Sequence, residues 1–171
     1  YVGRGYTLNG CKGSKVVIDG TKFVQVGNTA AEAGVYEVTL AVKTAEELAN
    51  AFAGNYACIV LAADIINTEA SFQVANDAVL DLAGHTISGN DQKTGSYALI
   101  EVQPTKSLNI INTAATAGKL SAVSANNRGW NAYSSVVSNQ RGTLTVGEGV
   151  VIEHLGGTDM AYAIDNLTNT G

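Results

Sequence analysis

The feature that most constrains the fold is a series of short apolar segments that runs from residue 57 to residue 164. None of them exceeds about seven residues, which is the usual length of a β-strand. Gly and Asn separate the segments, and the chain has a single Pro, which is typical of a backbone that turns through left-handed conformations. The pattern predicts strands at 57–61, 72–74, 79–82, 85–87, 97–102, 107–111, 119–123, 134–137, 142–146, 150–153 and 162–164.

Several of these segments repeat. Residues 135–139 and 162–166 align at an offset of 27 and share a final Asn. The segments 80–82, 108–110 and 144–146 share an apolar-polar-apolar pattern at spacings of 28 and 36. Periods of about 20–50 residues indicate solenoids, propellers or arrays. The strands are too short and the helices too few for leucine-rich or ankyrin repeats, and no Trp-Asp pair marks propeller blades, so a parallel β-solenoid remains.

Stacking in such a solenoid places equivalent residues of successive coils above one another. Asn139 and Asn166 lie one period apart and are therefore candidates for a structural ladder of stacked amides at a turn. The alternative, two unrelated loop asparagines, stays open at this point because Asn is common in turns.

The first 42 residues have a different pattern. Residues 15–18 and 21–26 are apolar segments that flank Asp19-Gly20, a pair that favours the type I′ turn of a β-hairpin. A third strand is predicted over 35–42. We therefore divide the chain into a hairpin or attachment region, 1–42, and a solenoid, 43–171.

The one convincing helix is predicted over 44–53. Thr44 and Glu47 have the spacing of a capping box, and Gly54 ends the helix. Leu48, Ala49, Phe52 and Ala53 would form its apolar face. A short amphipathic helix ahead of many strands is well placed to cover the open end of the strand array.

Three segments together carry a family resemblance: Val38–Ile65, Ala78–Gly89 and Gly142–Val146. They resemble a pectate-lyase-like right-handed parallel β-helix, of the non-catalytic kind found in bacterial surface proteins and phage tail or head fibres. The resemblance covers roughly residues 38–171. It implies an all-β fold, a right-handed parallel β-helix with an N-terminal capping helix and a small N-terminal antiparallel β region. By resemblance to the fibres it also implies a homotrimer.

Charge and hydropathy exclude two classes of partner. The net charge is −5, whereas a nucleic-acid partner requires a basic surface. The longest apolar run, 56–63, is far shorter than the roughly 18 residues of a membrane span. The two cysteines, Cys11 and Cys58, are too few for a disulfide framework, and we expect two buried thiols, with a single bridge as the alternative.

The sequence contains no recognisable catalytic centre. Its carboxylates are scattered singly, without the Asp-Asp or Gly-His-Gly motifs of polysaccharide hydrolases. His85 is interpreted as a structural residue, and His154 and Glu153, as strand neighbours, would point to opposite faces. We predict no catalytic residue, no metal and no cofactor, although the question of enzymatic activity stays open.

The loop 124–133 has the composition of a recognition surface. Trp130 and Tyr133 could stack on sugar rings, while Arg128, Asn127 and Asn131 could form hydrogen bonds to hydroxyl groups. The alternative is that the aromatic residues pack as a lid over the neighbouring coil. We take these five residues as candidate ligand-binding residues.

These observations favour a non-enzymatic, surface-exposed fibre or adhesion module. Its expected location is extracellular, on a virion or a bacterial cell, and its expected partner is a cell-surface glycan or host receptor. One alternative is a polysaccharide lyase or hydrolase whose active site lies outside this chain or between chains. The other is a purely structural fibre or capsid-decorating protein. We also expect the solenoid to continue beyond residue 171 or to be capped by another chain, because its last strands would otherwise be exposed edges.

Overall fold

The computed structural model describes residues 6–7, 15–18, 34–37, 39–54, 56, 58–91, 95–124, 132–156 and 160–167. The N-terminal elements are β1 (Tyr6–Thr7), β2 (Lys15–Ile18), β3 (Gly34–Glu37), β4 (Thr39–Val42) and α1 (Ala45–Ala53). They are followed by β5 (Cys58–Leu61), β6 (Ile65–Thr68), β7 (Phe72–Val74), β8 (Ala78–Asp81), β9 (Thr86–Asp91) and β10 (Tyr97–Val102). The remaining strands are β11 (Ser107–Ile111), β12 (Gly118–Ser124), β13 (Ser134–Gln140), β14 (Thr143–Val146), β15 (Val150–His154) and β16 (Ala161–Leu167).

Three parallel sheets contain all strands from β4 onward. The first sheet has the order β1-β4-β5-β8-β11-β14, in which only β1 is antiparallel to its neighbour. The second sheet has the order β6-β9-β12-β15 and the third β7-β10-β13-β16. From β5 onward the chain therefore visits the first, second and third sheets in turn, four times. We call each passage a coil: coil 1 is β5–β7, coil 2 is β8–β10, coil 3 is β11–β13 and coil 4 is β14–β16.

The mostly β, parallel architecture predicted from the sequence is confirmed. Four strands, β2, β7, β10 and β11, begin and end at the predicted residues. The strand β6 was missed because its four residues, Ile65–Thr68, contain only two apolar side chains. Of these, Ile66 is exposed, and the next residue, Asn67, has a positive φ of 54°, so the alternation typical of a strand is absent.

The register confirms two predicted spacings and corrects a third. Ser135 pairs with Tyr162, and Leu108 pairs with Leu144, as expected. However, Leu108 pairs with Ala78, and not with Leu80. A shift of two residues leaves the inward and outward faces of a strand unchanged, so the apolar pattern alone could not distinguish the two registers.

The N-terminal elements pair antiparallel. The strand β2 pairs with β3, and β1 pairs with β4. The predicted single strand at 35–42 is therefore two strands, of which β4 also pairs in parallel with β5. Residues 19–26, which include the predicted hairpin turn and its second strand, lie outside the described residues. The division of the chain at residue 42 stays a prediction.

The predicted helix and its capping box are confirmed. The Thr44 hydroxyl accepts a hydrogen bond from the Glu47 amide at 3.1 Å, and Glu47 Oε2 accepts one from the Thr44 amide at 3.2 Å. The buried face consists of Leu48, Ala51 and Phe52, whereas the predicted Ala49 and Ala53 are exposed. The correction follows from the 3.6-residue period, which brings residues three and four apart to one face.

Helix α1 packs against β7, the edge strand of the third sheet. The rings of Phe52 and Phe72 lie 6.5 Å apart between centroids. The side chain of Asn76 donates hydrogen bonds to the carbonyl oxygens of Ala53 and Gly54 at 3.3 and 3.0 Å, which satisfies acceptors left open at the helix end. Within the described residues, no helix has the length and hydropathy that crossing a bilayer requires.

Cys58 is disulfide-bonded, so the expectation of two buried thiols is wrong. Cys58 is completely buried and adjoins the core residue Ile59 in β5, so strand alternation turns it away from the core. The only other cysteine of the sequence is Cys11, which lies outside the described residues. Cysteine density alone does not distinguish a buried thiol from a buried disulfide.

Replacing Thr44 with Ala should lower the free energy of unfolding by about 1 kcal/mol, because the Glu47 amide loses its acceptor. Thr44→Ser is the matched control, since it retains the hydroxyl group and should stay close to wild type. Urea denaturation followed by circular dichroism measures both. Equal losses in the two variants would contradict a capping role for the hydroxyl.

Candidate functional site

Three columns of apolar side chains run through the core, one from each sheet. Their members are in register from coil to coil: Ile59, Leu80, Ile110 and Val146 in the first sheet, Ile65, Ile87, Leu120 and Ile152 in the second, and Phe72, Ile100, Val137 and Ile164 in the third. In coils 1 to 3 every member is at most 4% exposed. In coil 4, Val146 is 40% and Ile164 is 42% exposed, so the core is open at this end.

The opening coincides with the last strand of every sheet. Among the described residues, β14, β15 and β16 each have a neighbour on one side only. Most of the exposed large apolar side chains of the described residues lie in coil 4 or at its corners: Val146, Val151, Leu155, Met160, Tyr162, Ile164 and Leu167. The other two are Ile66 and Val123. A cavity of about 580 Å³ between β14 and β16 is lined in part by Leu144, Val146, Ile164 and Leu167. We call this surface the coil 4 end.

The structure brings Asn139 and Asn166 together. They are in register in β13 and β16, and Asn139 Nδ2 donates a hydrogen bond to Asn166 Oδ1 at 2.7 Å. Asn139 also accepts from the Gly142 amide at 2.9 Å and donates to the Gly142 carbonyl oxygen at 3.1 Å. Asn139 thus closes the corner between β13 and β14, and it is 6% exposed.

Four of the five candidate ligand-binding residues, Asn127, Arg128, Trp130 and Asn131, lie outside the described residues. Tyr133 is described and half-buried. Its carbonyl oxygen accepts a hydrogen bond from the Tyr97 amide at 2.9 Å, and its own amide donates to Ser96 Oγ at 3.4 Å. Tyr133, the residue directly before β13, is therefore hydrogen-bonded to coil 2. Ligand binding by these five residues stays a prediction.

A row of polar side chains on the third sheet was missed by sequence reasoning. Gln73, Glu101, Ser138 and Asp165 are in register across β7, β10, β13 and β16. Together with Gln103 and Gln140 we call them the Gln/Glu strip. Each of the four directly follows a member of the third-sheet core column, and this alternation is the signal that could have found them.

The strip is linked by hydrogen bonds between side chains. Gln73 Nε2 donates to Glu101 Oε2 at 3.2 Å, and Gln103 Nε2 donates to Glu101 Oε1 at 3.0 Å. Gln103 Nε2 also contacts Gln73 Oε1. Gln140 Nε2 donates to Ser138 Oγ at 2.7 Å. Neighbouring strands are about 4.8 Å apart, which places Glu101 and Asp165 roughly 10 Å apart, two strand steps.

Several other carboxylates bind backbone amides of a neighbouring coil. Asp64 Oδ1 accepts from the Thr86 amide at 2.9 Å and contacts His85 Nδ1 at 3.0 Å. These hydrogen bonds, the Thr86 amide first, hold the pKa of Asp64 below its usual value. The Ser107 amide, at 2.8 Å from Asp77 Oδ1, likewise lowers the pKa of Asp77. Asp64 and Asp77 therefore both have a structural role, because each binds a backbone amide of the next coil.

The most buried of these contacts is made by Asp81, which is 4% exposed. It accepts from the Thr113 amide at 3.0 Å, the Thr113 hydroxyl at 2.6 Å and the Ala83 amide at 2.9 Å. A buried carboxylate with three donors is satisfied without a ligand.

The two histidines are held by different partners. His85 contacts Asp64, as above. In coil 4, Glu153 pairs with Lys119, whereas His154 Nε2 contacts Ser134 Oγ at 3.0 Å. Nowhere in the described part of the chain do three His, Cys, Asp or Glu side chains lie close enough together to hold a metal ion.

Comparisons with protein-family models, with curated proteins and with solved structures found no match.

Ile100 and Ile164 form a matched pair, since both belong to the third-sheet column and differ in burial. Ile100→Ala should lower the free energy of unfolding by about 2–5 kcal/mol, the cost of a fully buried cavity. Ile164→Ala should cost less than half as much, because its side chain is already 42% exposed. Chemical denaturation of the two variants measures the difference. Equal costs in a verified monomer would contradict an open coil 4 end.

The lowered pKa of Asp64 predicts a pH dependence. Because the folded-state pKa lies below the unfolded value of about 4, the stabilisation by Asp64 is present above that value. It is lost as the pH falls through the folded pKa. Asp64→Asn should therefore be less stable than wild type at pH 7, and the difference should shrink between about pH 5 and pH 2. Thermal unfolding across this range measures it, and a difference that is constant with pH would contradict the assignment.

Proposed function

We propose that this chain is a non-enzymatic module of a right-handed parallel β-solenoid, exposed on a virion or bacterial surface, that presents a lateral face to a cell-surface glycan or host receptor. The single observation that carries the proposal is the set of core columns, buried through three coils and open in the fourth. Coils can be added to such a core because each coil contacts only its neighbours.

The solenoid assignment is supported by the order in which the chain visits the three sheets. Each coil adds one parallel strand to each sheet, and parallel connections are right-handed in nearly all proteins. The contact between Asn139 and Asn166 repeats a corner from one coil to the next, as a solenoid requires. The resemblance to non-catalytic pectate-lyase-like β-helices of surface proteins and fibres agrees with these features.

The purely structural fibre is the second candidate function. The exposed strand edges and apolar side chains of the coil 4 end favour it, because such edges can pair with another chain. By resemblance, the assembly would be a homotrimer, which light scattering on the purified protein would test.

The proposed location is supported by the disulfide at Cys58. Disulfide bonds persist in oxidising environments such as the cell exterior and are rare in the cytosol. With 15% charged residues, the chain relies on Ser, Thr, Asn and Gln for its polar surface, which can form hydrogen bonds to the hydroxyl groups of glycans.

The proposal of a non-enzymatic role is supported by the partners of the carboxylates. Asp64, Asp77 and Asp81 all accept hydrogen bonds from backbone amides. These three carboxylates are therefore engaged by the fold. Glu101 and Asp165 share the outer face of the third sheet, and the assay for released ends below tests them as a catalytic pair.

The decisive experiment incubates the purified protein with immobilised neutral, amino-sugar and acidic polysaccharides, with and without calcium. Binding is measured together with the release of reducing or unsaturated ends. We expect binding without release. Turnover would overturn the non-enzymatic role, and the absence of binding to every glycan and to host cells would favour the purely structural fibre.

Trp130→Ala tests the candidate loop in the same assay. Loss of glycan binding with an unchanged melting temperature would support ligand contact by this loop. Equal loss of binding and of thermal stability would instead favour packing of the loop against the neighbouring coil.

A further inference from the structure

We infer that the Gln/Glu strip is a binding surface for a glycan without acidic groups, either neutral or bearing amino sugars. This inference rests on the proposed adhesive function and gives it a particular face and a ligand class. It places the contact on the third sheet itself.

The strip has the chemistry and the layout of a glycan-binding surface. Its amides supply both donors and acceptors, and Glu101 and Asp165 supply further acceptors. Because the side chains follow the register of a parallel sheet, equivalent groups recur about every 4.8 Å from coil to coil. Ser138 is completely buried, so a glycan that lies across the strands would contact Gln73 and Glu101 on one side of it and the half-buried Asp165 on the other.

The side chains at the centre of the strip are already ordered. Gln73 and Gln103 both donate to the carboxylate of Glu101, one to each oxygen. A free Gln side chain loses conformational entropy when a ligand fixes it. Since folding has already fixed these two, a ligand that binds them pays less of this cost. Gln73 is nevertheless exposed, and Glu101 and Gln103 are half-buried, so the groups remain accessible.

Charge selects the class of glycan. The strip contains two carboxylates and no cationic side chain, and the whole chain has a net charge of −5. An acidic polysaccharide would meet like charges at Glu101 and Asp165, which disfavours binding. Neutral hydroxyl groups are not repelled in this way. The ammonium groups of amino sugars would form charge-assisted hydrogen bonds with both carboxylates.

The outer side of the second sheet is different in character. Val123 and Leu155 are exposed there, at 38% and 50%, and Lys119 and Glu153 form an ion pair. It has no linked set of amides among its described residues. It therefore provides a matched control surface on the same protein.

The test compares variants of the two faces for binding to chitosan oligosaccharides, whose amino groups are free, to a neutral β-glucan and to polygalacturonate. The double variant Gln73→Ala/Gln103→Ala should bind the glycan that wild type binds about thirtyfold more weakly, because two hydrogen bonds of about 1 kcal/mol each are lost. Val151→Ala, on the second sheet and 40% exposed, should bind as wild type. Isothermal titration calorimetry measures affinity, and melting temperatures verify that each variant is folded.

A second variant keeps the test valid if the double variant fails to fold. Glu101→Gln retains the shape of the side chain and removes its charge, so it should weaken binding of amino sugars while relieving the repulsion of polygalacturonate.

The outcomes separate the inference from the proposed function. If wild type binds a glycan and the strip variants bind equally well, the strip is not the site, although the adhesive function stands. Preferential binding of polygalacturonate would overturn the charge argument. If wild type binds no glycan or host cell at all, the adhesive function itself fails.

Discussion

The parallel register between coils is the constraint on which the rest of the structure depends. It places Ile100 on Phe72 and Val137 on Ile100, and in the same way it places Glu101 on Gln73. Like side chains therefore form columns on both faces of a sheet. Inside, the columns exclude water, and the apolar area that they bury is the main favourable term in folding. Outside, the same register aligns the polar residues of the Gln/Glu strip, because the sequence has a polar residue at each of those positions.

The two ends of this strand array are unlike. At the N-terminal end, α1 covers the third sheet with Phe52, and its own C-terminus is held by the side chain of Asn76. At the coil 4 end, Val146 and Ile164 lose the cover that their equivalents have in coils 1 to 3. The apolar core is therefore covered by α1 at one end and exposed at the coil 4 end.

The corners between strands are held by short polar side chains that reach the next coil. Asp64, Asp77 and Asp81 accept from backbone amides one coil further on, and Asn139 does so within its own corner while it contacts Asn166. Three of the acidic residues that are scattered in the sequence are thus used to hold the corners, whereas Glu101 and Asp165 lie on the outer face of the third sheet.

Local patterns in the sequence were sufficient for the elements that depend on neighbouring residues. The capping box of Thr44 and Glu47, the limits of β7, β10 and β11, and the offset of 27 that relates Asn139 to Asn166 could all be read directly. Tertiary structure decided the pairing of Leu108 with Ala78, the bonded state of Cys58 and the assembly of the Gln/Glu strip. The physical reason is that strand alternation has a period of two, which defines the face of each residue but leaves its partner in the next coil undetermined until the strands pack.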